Sequence, residues 1–206
     1  MTGRRLVLVR HGQTAWNAVG RGQGHHDVDL DELGHEQSAA AAPFLAGFAP
    51  VSLWSSDLQR CRQTTTYLAK ETGLDPIFDA RLREYDLGAR TGLTMQEFAS
   101  KFPDEYAAYR DGHFEAVTEG ESTAQVEERM RAVLDEVLGR LGPGETAVVV
   151  THGAALKVAV VSMLGWPVEL AGGLQGLTNS SCALLEEISD GGRLRLAAYN
   201  LAVPEG

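Results

Sequence analysis

Two short apolar runs in this chain end alike, and few folds accommodate both. Leu6-Val7-Leu8-Val9 runs into Arg10-His11-Gly12, and Ala147-Val148-Val149-Val150 runs into Thr151-His152-Gly153. A continuous apolar run of about four residues closed by polar ones is the pattern of a strand buried on both faces. Such strands belong to parallel sheets covered by helices. Parallel strands point their carboxyl ends the same way, so both histidines would reach the rim where open α/β sheets bind ligands. Gly12 and Gly153, having no Cβ, would let the chain turn sharply there and let a ligand approach the backbone.

The rest of the chain fits the same plan. Residues 51–54 form a third candidate strand, and Ile77 with Phe78 a weaker fourth. Near the end, residues 182–188 and 193–199 flank Asp190-Gly191-Gly192, a hairpin signal that predicts an antiparallel edge. Residues 32–47 and 57–72 read as crossover helices, the second capped by Ser55, Ser56 or Asp57. Ser122 and Gln125 form a capping box ahead of Val126, Met130, Val133, Val137 and Leu141, one apolar stripe on a helix. Residues 154–164 form another helix, stopped by Gly165 and Pro167. The predicted architecture is α/β: a three-layer sandwich with a mostly parallel central sheet, helices on both faces and an antiparallel edge strand. We expect residues 1–206 to be a single domain, with 88–121 a cap-like insertion over the sheet.

Charge narrows the ligand. Lys and Arg number 18 against 28 Asp and Glu, a formal net charge of -10, which argues against a nucleic-acid surface. Any anion site must be local. Arg10 follows the first strand, and Arg60 falls in the first turn of the helix after the third, so two guanidinium groups and a helix start would converge on the histidine rim. Guanidinium forks match the paired oxygens of a phosphoryl group. No apolar run is long enough to span a membrane, and Arg4 and Arg5 precede too short a run for a secretory signal. Cys61 and Cys182 form no disulfide or zinc framework. They read as buried filler in a cytoplasmic protein.

Arg10-His11-Gly12-Gln13-Thr14 with Trp16-Asn17, Gln23-Gly24, Ser55-Ser56-Asp57-Leu58-Gln59-Arg60, Leu82-Arg83-Glu84, Gly120-Glu121-Ser122 and Thr151-His152-Gly153 occur in that order. Together they resemble the histidine phosphatase superfamily, also called phosphoglycerate mutase-like. The pattern is most similar to its short phosphatase branch, which includes glucosyl-3-phosphoglycerate and broad-specificity phosphatases. The resemblance implies that His11 is a nucleophile and that Arg10, Arg60 and His152 hold the phosphoryl oxygens. It also implies that Asn17, Gln23 and Gly153 line the substrate pocket and that Glu84 donates the proton. It implies a phosphomonoester hydrolase without metal or other cofactor, acting on a small phosphorylated metabolite such as a sugar phosphate or phosphoglycerate derivative. Phosphoryl transfer needs in-line positioning and cationic stabilisation, which two arginines and a histidine supply. His11 must attack through an unprotonated nitrogen, its other nitrogen donating to a carbonyl.

Alternatives stand beside several assignments. The residues alone do not select Glu84 over Asp86, and Glu84 could instead pair with Arg81 or Arg83. Asn17 could cap a turn. His25-His26-Asp27 has metal-binding side chains but not metal-binding spacing, and reads as a mobile loop at the pocket rim. Phe98, Phe102, Tyr106 and Tyr109 recur at helical spacing and are expected to pack the insertion, with Trp16, Tyr85, His113 and Phe114 as rim residues. Arg90 follows Leu87-Gly88 where many relatives of this length carry Trp-Glu-Gly, and would suit a second anionic group such as a carboxylate. Mutases of the family are usually longer, which favours hydrolysis over a mutase. A phosphate-binding scaffold is the remaining alternative, and a homodimer is left open.

Overall fold

A computed structural model describes residues 3–111, 116–188 and 192–202. The strands are β1 Arg5–Arg10, β2 Ser52–Ser55, β3 Pro76–Phe78, β4 Thr146–Thr151, β5 Cys182–Glu187 and β6 Leu194–Leu201. The helices are α1 Ala15–Ala18, α2 Glu32–Ala46, α3 Gln59–Thr72, α4 Met95–Lys101, α5 Pro103–Arg110, α6 Thr123–Gly139 and α7 Gly153–Met163. One six-stranded sheet runs β3-β2-β4-β1-β5-β6. The first four strands are parallel, and β5 and β6 are each antiparallel to the strand before them, so the antiparallel edge is a hairpin of two strands. Asp190 and Gly191 of its expected turn lie outside the described residues.

Alternation along β1 sorts the two faces. Leu6 and Leu8 pack with Met130, Val133 and Val137 of α6 and with Leu156 and Val160 of α7. Val7 and Val9 pack with Ala41 and Leu45 of α2 and Leu68 of α3. Side chains alternate faces along a strand, so a run with no polar residue is what a strand between two helical layers requires. Val126, Met130, Val133 and Val137 of the expected stripe are fully buried on α6, Leu141 is buried just beyond its end, and Ser122 and Gln125 close the capping box.

β1 and β4 lie side by side with Arg10 opposite Thr151, which brings His11 and His152 together just beyond the strand ends. The chain leaves β1 toward β2 by way of α2 and leaves β4 toward β5 by way of α7, helices on opposite faces. The crevice is therefore at the switch point where ligands bind in such sheets.

Two local expectations change. The helix expected from 57 begins at Gln59, and its cap residue Leu58 contributes no side chain. Asp27, some thirty residues earlier, accepts the Gln59 N–H at 2.6 Å. Ser56 and Asp57 are used elsewhere: the Ser56 hydroxyl meets His152 at 2.9 Å, and Asp57 pairs with Arg83 at 2.6 Å. The aromatic segment is two short helices meeting at Phe102 and Pro103. Phe98 is buried at their centre, with the rings of Phe102, Tyr106 and Tyr109 about it. The segment is tied across the crevice: Arg21 pairs with Glu97 at 2.7 Å, and Leu93 accepts the Gly22 N–H.

Candidate active site

The site begins with the His11 ring. It is buried, and its Nδ1 lies 2.6 Å from the Gly12 carbonyl oxygen. A carbonyl can only accept, so Nδ1 carries the proton and Nε2 keeps its lone pair. Nε2 has no partner among the described residues, and His11 lines a cleft with Arg10, Asn17, Gln23, Arg60 and Glu84. Burial, reinforced by the charges of Arg60 and Arg10, drives the His11 pKa well below its ordinary value. The imidazole is therefore neutral at neutral pH, as a nucleophile must be.

His152 stands edge-on to His11, ring centroids 5.2 Å apart. Its Nδ1 accepts from Arg60 Nε at 3.1 Å, which leaves Nε2 to donate to the Ser56 hydroxyl. Burial and the charge of Arg60 hold its pKa well down too. Arg60 is itself buried, and its other two nitrogens donate to the carbonyls of His26 at 2.9 Å and Gly24 at 2.8 Å. A guanidinium has five N–H groups, so two remain for a ligand. Arg10 donates to the Leu177 carbonyl, while its buried Nε finds no acceptor. The buried Oε1 of Gln23 is likewise unpaired. Buried polar atoms without partners are rare, and these two occur in one cleft.

Gly153 lines the cleft as expected, and both glycines also make room for protein neighbours. A Cβ on Gly12 would lie 2.4 Å from the Gly34 carbonyl oxygen and 2.6 Å from Ser38 Oγ, so Gly12 lets α2 pack against the turn that carries His11. A Cβ on Gly153 would meet Arg10 Nε at 3.3 Å, so this glycine makes room for the guanidinium. Acids sit at both neighbouring helix starts: Asp27 accepts from Gln59 N of α3, and Glu84 from Ala154 N and Ala155 N of α7.

Glu84 is fixed by three backbone donors. Oε1 accepts from Tyr85 N at 3.0 Å and Ala155 N at 2.8 Å, and Oε2 accepts from Ala154 N at 3.0 Å. Arg83 is taken by Asp57, and Arg81 by Asp79 and Glu136, so neither pairs with Glu84. Asp86 does not line the His11 cleft. Asn17 does cap: its Oδ1 accepts from Thr14 N and Thr14 Oγ1, both at 3.1 Å. It also lines the cleft.

His25, His26 and Asp27 turn to three different partners: the Glu84 carbonyl at 2.8 Å, the Trp16 ring stacked at 4.8 Å, and the start of α3. These contacts anchor the segment that was expected to be mobile. Tyr85 is buried, with its hydroxyl 3.2 Å from Thr123 Oγ1. His113 and Phe114 lie outside the described residues.

Sequence reasoning passed over several supports. The guanidinium of Arg129 donates to the carbonyls of Arg81, Arg83 and Glu84 and to both oxygens of Glu121. Asn179 donates to the His11 carbonyl at 2.9 Å, and Ser180 N to that of Arg10 at 3.0 Å. Tyr109, read as packing, also lines the cleft, and so does Arg90.

The pattern of the histidine phosphatase superfamily (branch 1) matches residues 6–200. A glucosyl-3-phosphoglycerate phosphatase of Mycolicibacterium vanbaalenii is 38% identical over 184 residues, 86% of this chain and 82% of that protein. A metal-independent phosphoserine phosphatase of Arabidopsis thaliana is 37% identical, over 74% of this chain and 65% of that one. The solved structure of a mycobacterial glucosyl-3-phosphoglycerate phosphatase superposes with a TM-score of 0.88 at 35% identity, covering 97% of this chain and all of that one. Among the described residues no helix is long and apolar enough to cross a membrane.

Proposed function

As the chain belongs to the histidine phosphatase superfamily, branch 1, we propose that it hydrolyses small phosphomonoesters through a phosphohistidine formed on His11. The observation that carries this reading is the tautomer lock: a buried imidazole, Nδ1 held by its own turn, Nε2 open to a cleft lined by two arginines.

In the first step His11 Nε2 attacks phosphorus in line as the bond to the leaving oxygen breaks. Charge on the equatorial oxygens is met by the free N–H groups of Arg10 and Arg60, with Asn17 and Gln23 completing the cradle, while His152, whose ring nitrogens are taken by Arg60 and Ser56, holds Arg60 in place. The leaving oxygen takes a proton from Glu84. Oε1 already receives two donors and Oε2 one, so Oε2 is the oxygen with room for that proton. Once the protonated alcohol has left, Glu84 has given up its proton and can act as base while the phosphoryl group remains on His11. In the second step Glu84 takes a proton from water, the water oxygen attacks phosphorus, the N–P bond breaks, and His11 and phosphate are released.

We read residues 1–206 as one catalytic domain in which 88–121 covers the site. We place the protein in the cytoplasm, a setting that suits Cys61 and Cys182, both buried as free thiols. The test is phosphate release from p-nitrophenyl phosphate and from a panel that includes glucosyl-3-phosphoglycerate and phosphoserine, with and without a strong chelator. Hydrolysis that survives chelation and disappears in His11→Ala supports the reading. Turnover by His11→Ala, or dependence on an added divalent metal, refutes it.

A further inference from the structure

The tautomer lock on His11 rests on a single peptide group. Gly12 supplies the carbonyl that receives His11 Nδ1 at 2.6 Å, and the N–H of that same peptide, on Gln13, donates to Gln37 Oε1 at 3.0 Å. The peptide is planar and trans, so the two bonds hold opposite ends of one plane. A backbone N–H can only donate, so the Gln37 amide must face it with its oxygen. The preceding peptide is secured by other residues. Its N–H, on Gly12, donates to Thr64 Oγ1 at 3.0 Å, and its carbonyl, on His11, accepts from Asn179 Nδ2 at 2.9 Å. For the peptide that receives the ring, Gln37 is the only hydrogen-bond partner from another element among the described residues.

The start of α2 explains how Gln37 comes to be there. Asp31 accepts the Gly34 N–H at 2.8 Å and gives its own N–H to the Gln13 carbonyl at 3.0 Å. Gly34 has no Cβ to strike that carbonyl, so helix and turn meet backbone to backbone. Residues three apart share a helix face, so Gln37 follows Gly34 onto the Gln13 side. Gln37 does not line the His11 cleft, and its reach ends at the peptide behind the ring.

A carbonyl whose own peptide N–H is engaged is a more polar acceptor, and a plane held at both ends cannot swing its oxygen away from Nδ1. Without Gln37 the plane would be held only by the ring it has to orient. The imidazole could then carry its proton on Nε2, the atom that must attack. We propose that Gln37 is a positioning residue that keeps His11 in the attacking tautomer. The proposal rests on the phosphohistidine reading and adds to it a residue that touches neither the phosphoryl group nor the leaving alcohol.

The experiment reads tautomer and rate separately. In protein isotope-labelled at the histidine nitrogens, NMR distinguishes protonated from bare ring nitrogens, and His11→Ala identifies the His11 signals. The wild type should carry the His11 proton on Nδ1 at neutral pH. Gln37→Met, similar in length but without the acceptor, should move that proton in part to Nε2 and leave His152 unchanged. Gln37→Asn, one methylene too short to reach, repeats the test with the amide retained. The rate is measured with enzyme in excess over p-nitrophenyl phosphate, which isolates transfer to His11. Its limiting value should fall by about 10- to 100-fold in Gln37→Met, with the half-saturating concentration unchanged. Gln37→Glu keeps an acceptor and should retain most of the rate. A wild-type proton on Nε2 overturns the proposal, as does a slow variant whose His11 remains wholly protonated on Nδ1. So does an unaltered rate in Gln37→Met, or a Gln37→Glu variant as slow as Gln37→Met. The NMR measurement needs no turnover: a wild type that releases no p-nitrophenol removes the phosphatase reading, whereas active protein indifferent to Gln37 removes only the positioning role.

Discussion

Arg129 is the most demanding test of how Glu84, the proposed proton donor, is held. All five N–H groups of its guanidinium are used: three on the carbonyls of residues 81, 83 and 84, two on Glu121. In Arg129→Lys the charge remains but only three donors are left, all on one nitrogen, so at least two acceptors lose their partners. A stranded polar group costs about 1–3 kcal/mol, and these are half-buried, so a loss of about 2–4 kcal/mol is expected. For a domain of this size that lowers Tm by about 5–15 °C. The activity should change selectively. The Glu84 carbonyl keeps His25 as a donor, but its carboxyl loses the rigidity of the turn beneath it. A displacement of about 1 Å costs up to about a hundredfold in a positioned group. The fall should appear with alkyl phosphates, whose leaving oxygen needs the proton, and much less with aryl phosphates. The assay pairs thermal unfolding by circular dichroism with kcat/KM for glycerol 3-phosphate and p-nitrophenyl phosphate. An unchanged Tm, or equal losses on both substrates, refutes the reasoning.

Glu84→Gln removes the proton but keeps the shape, so kcat/KM for alkyl phosphates should fall by about 10²–10⁴ while aryl phosphates suffer far less; parallel losses would count against general acid catalysis. Both active-site histidines are held neutral with depressed pKa values, so below the unfolded-state pKa near 6.5 the unfolded chain binds more protons than the folded one. Stability should therefore be full above about pH 7 and fall as the pH drops through the ordinary histidine range, approaching at most roughly 3 kcal/mol per pH unit for two protons, ahead of the carboxylates. Urea titrations between pH 7 and 5 measure this, and a flat profile contradicts the neutral assignment. Gly12→Ala forces a Cβ into the Gly34 carbonyl, so it should cost at least about 1–3 kcal/mol and lower turnover as the His11 turn shifts. Urea unfolding with assay of the same samples tests both effects.

The parts of this protein legible in the sequence are those governed by local pattern. Four residues of unbroken apolar character announced β1 because both of its faces meet helices, and the shared endings of β1 and β4 announced the site because adjacent parallel strands deliver their ends together. Ser122 and Gln125 announced α6 because a capping box is closed within four residues. The hidden parts depend on contacts between distant segments. Nothing near Gln59 shows that its cap comes from Asp27, and nothing around Arg129 in an amphipathic helix shows that it clamps the turn bearing Glu84. Resemblance alone favoured Glu84 over Asp86; the geometry separates them, since only Glu84 reaches the α7 N-terminus and the His11 cleft. Gly12 looked like a place for ligand to approach, yet the group it admits is the backbone of α2.

Direct observation of the covalent intermediate tests the central claim most sharply. Glu84→Gln, whose dephosphorylation by water should be slow, is mixed with p-nitrophenyl phosphate, quenched in alkali and digested for mass spectrometry. One acid-labile phosphoryl group on the peptide containing His11, formed with the burst of p-nitrophenol and absent from His11→Ala, is the expected result. A burst without phosphorylated peptide, or a phosphoryl group on any other side chain, would contradict it.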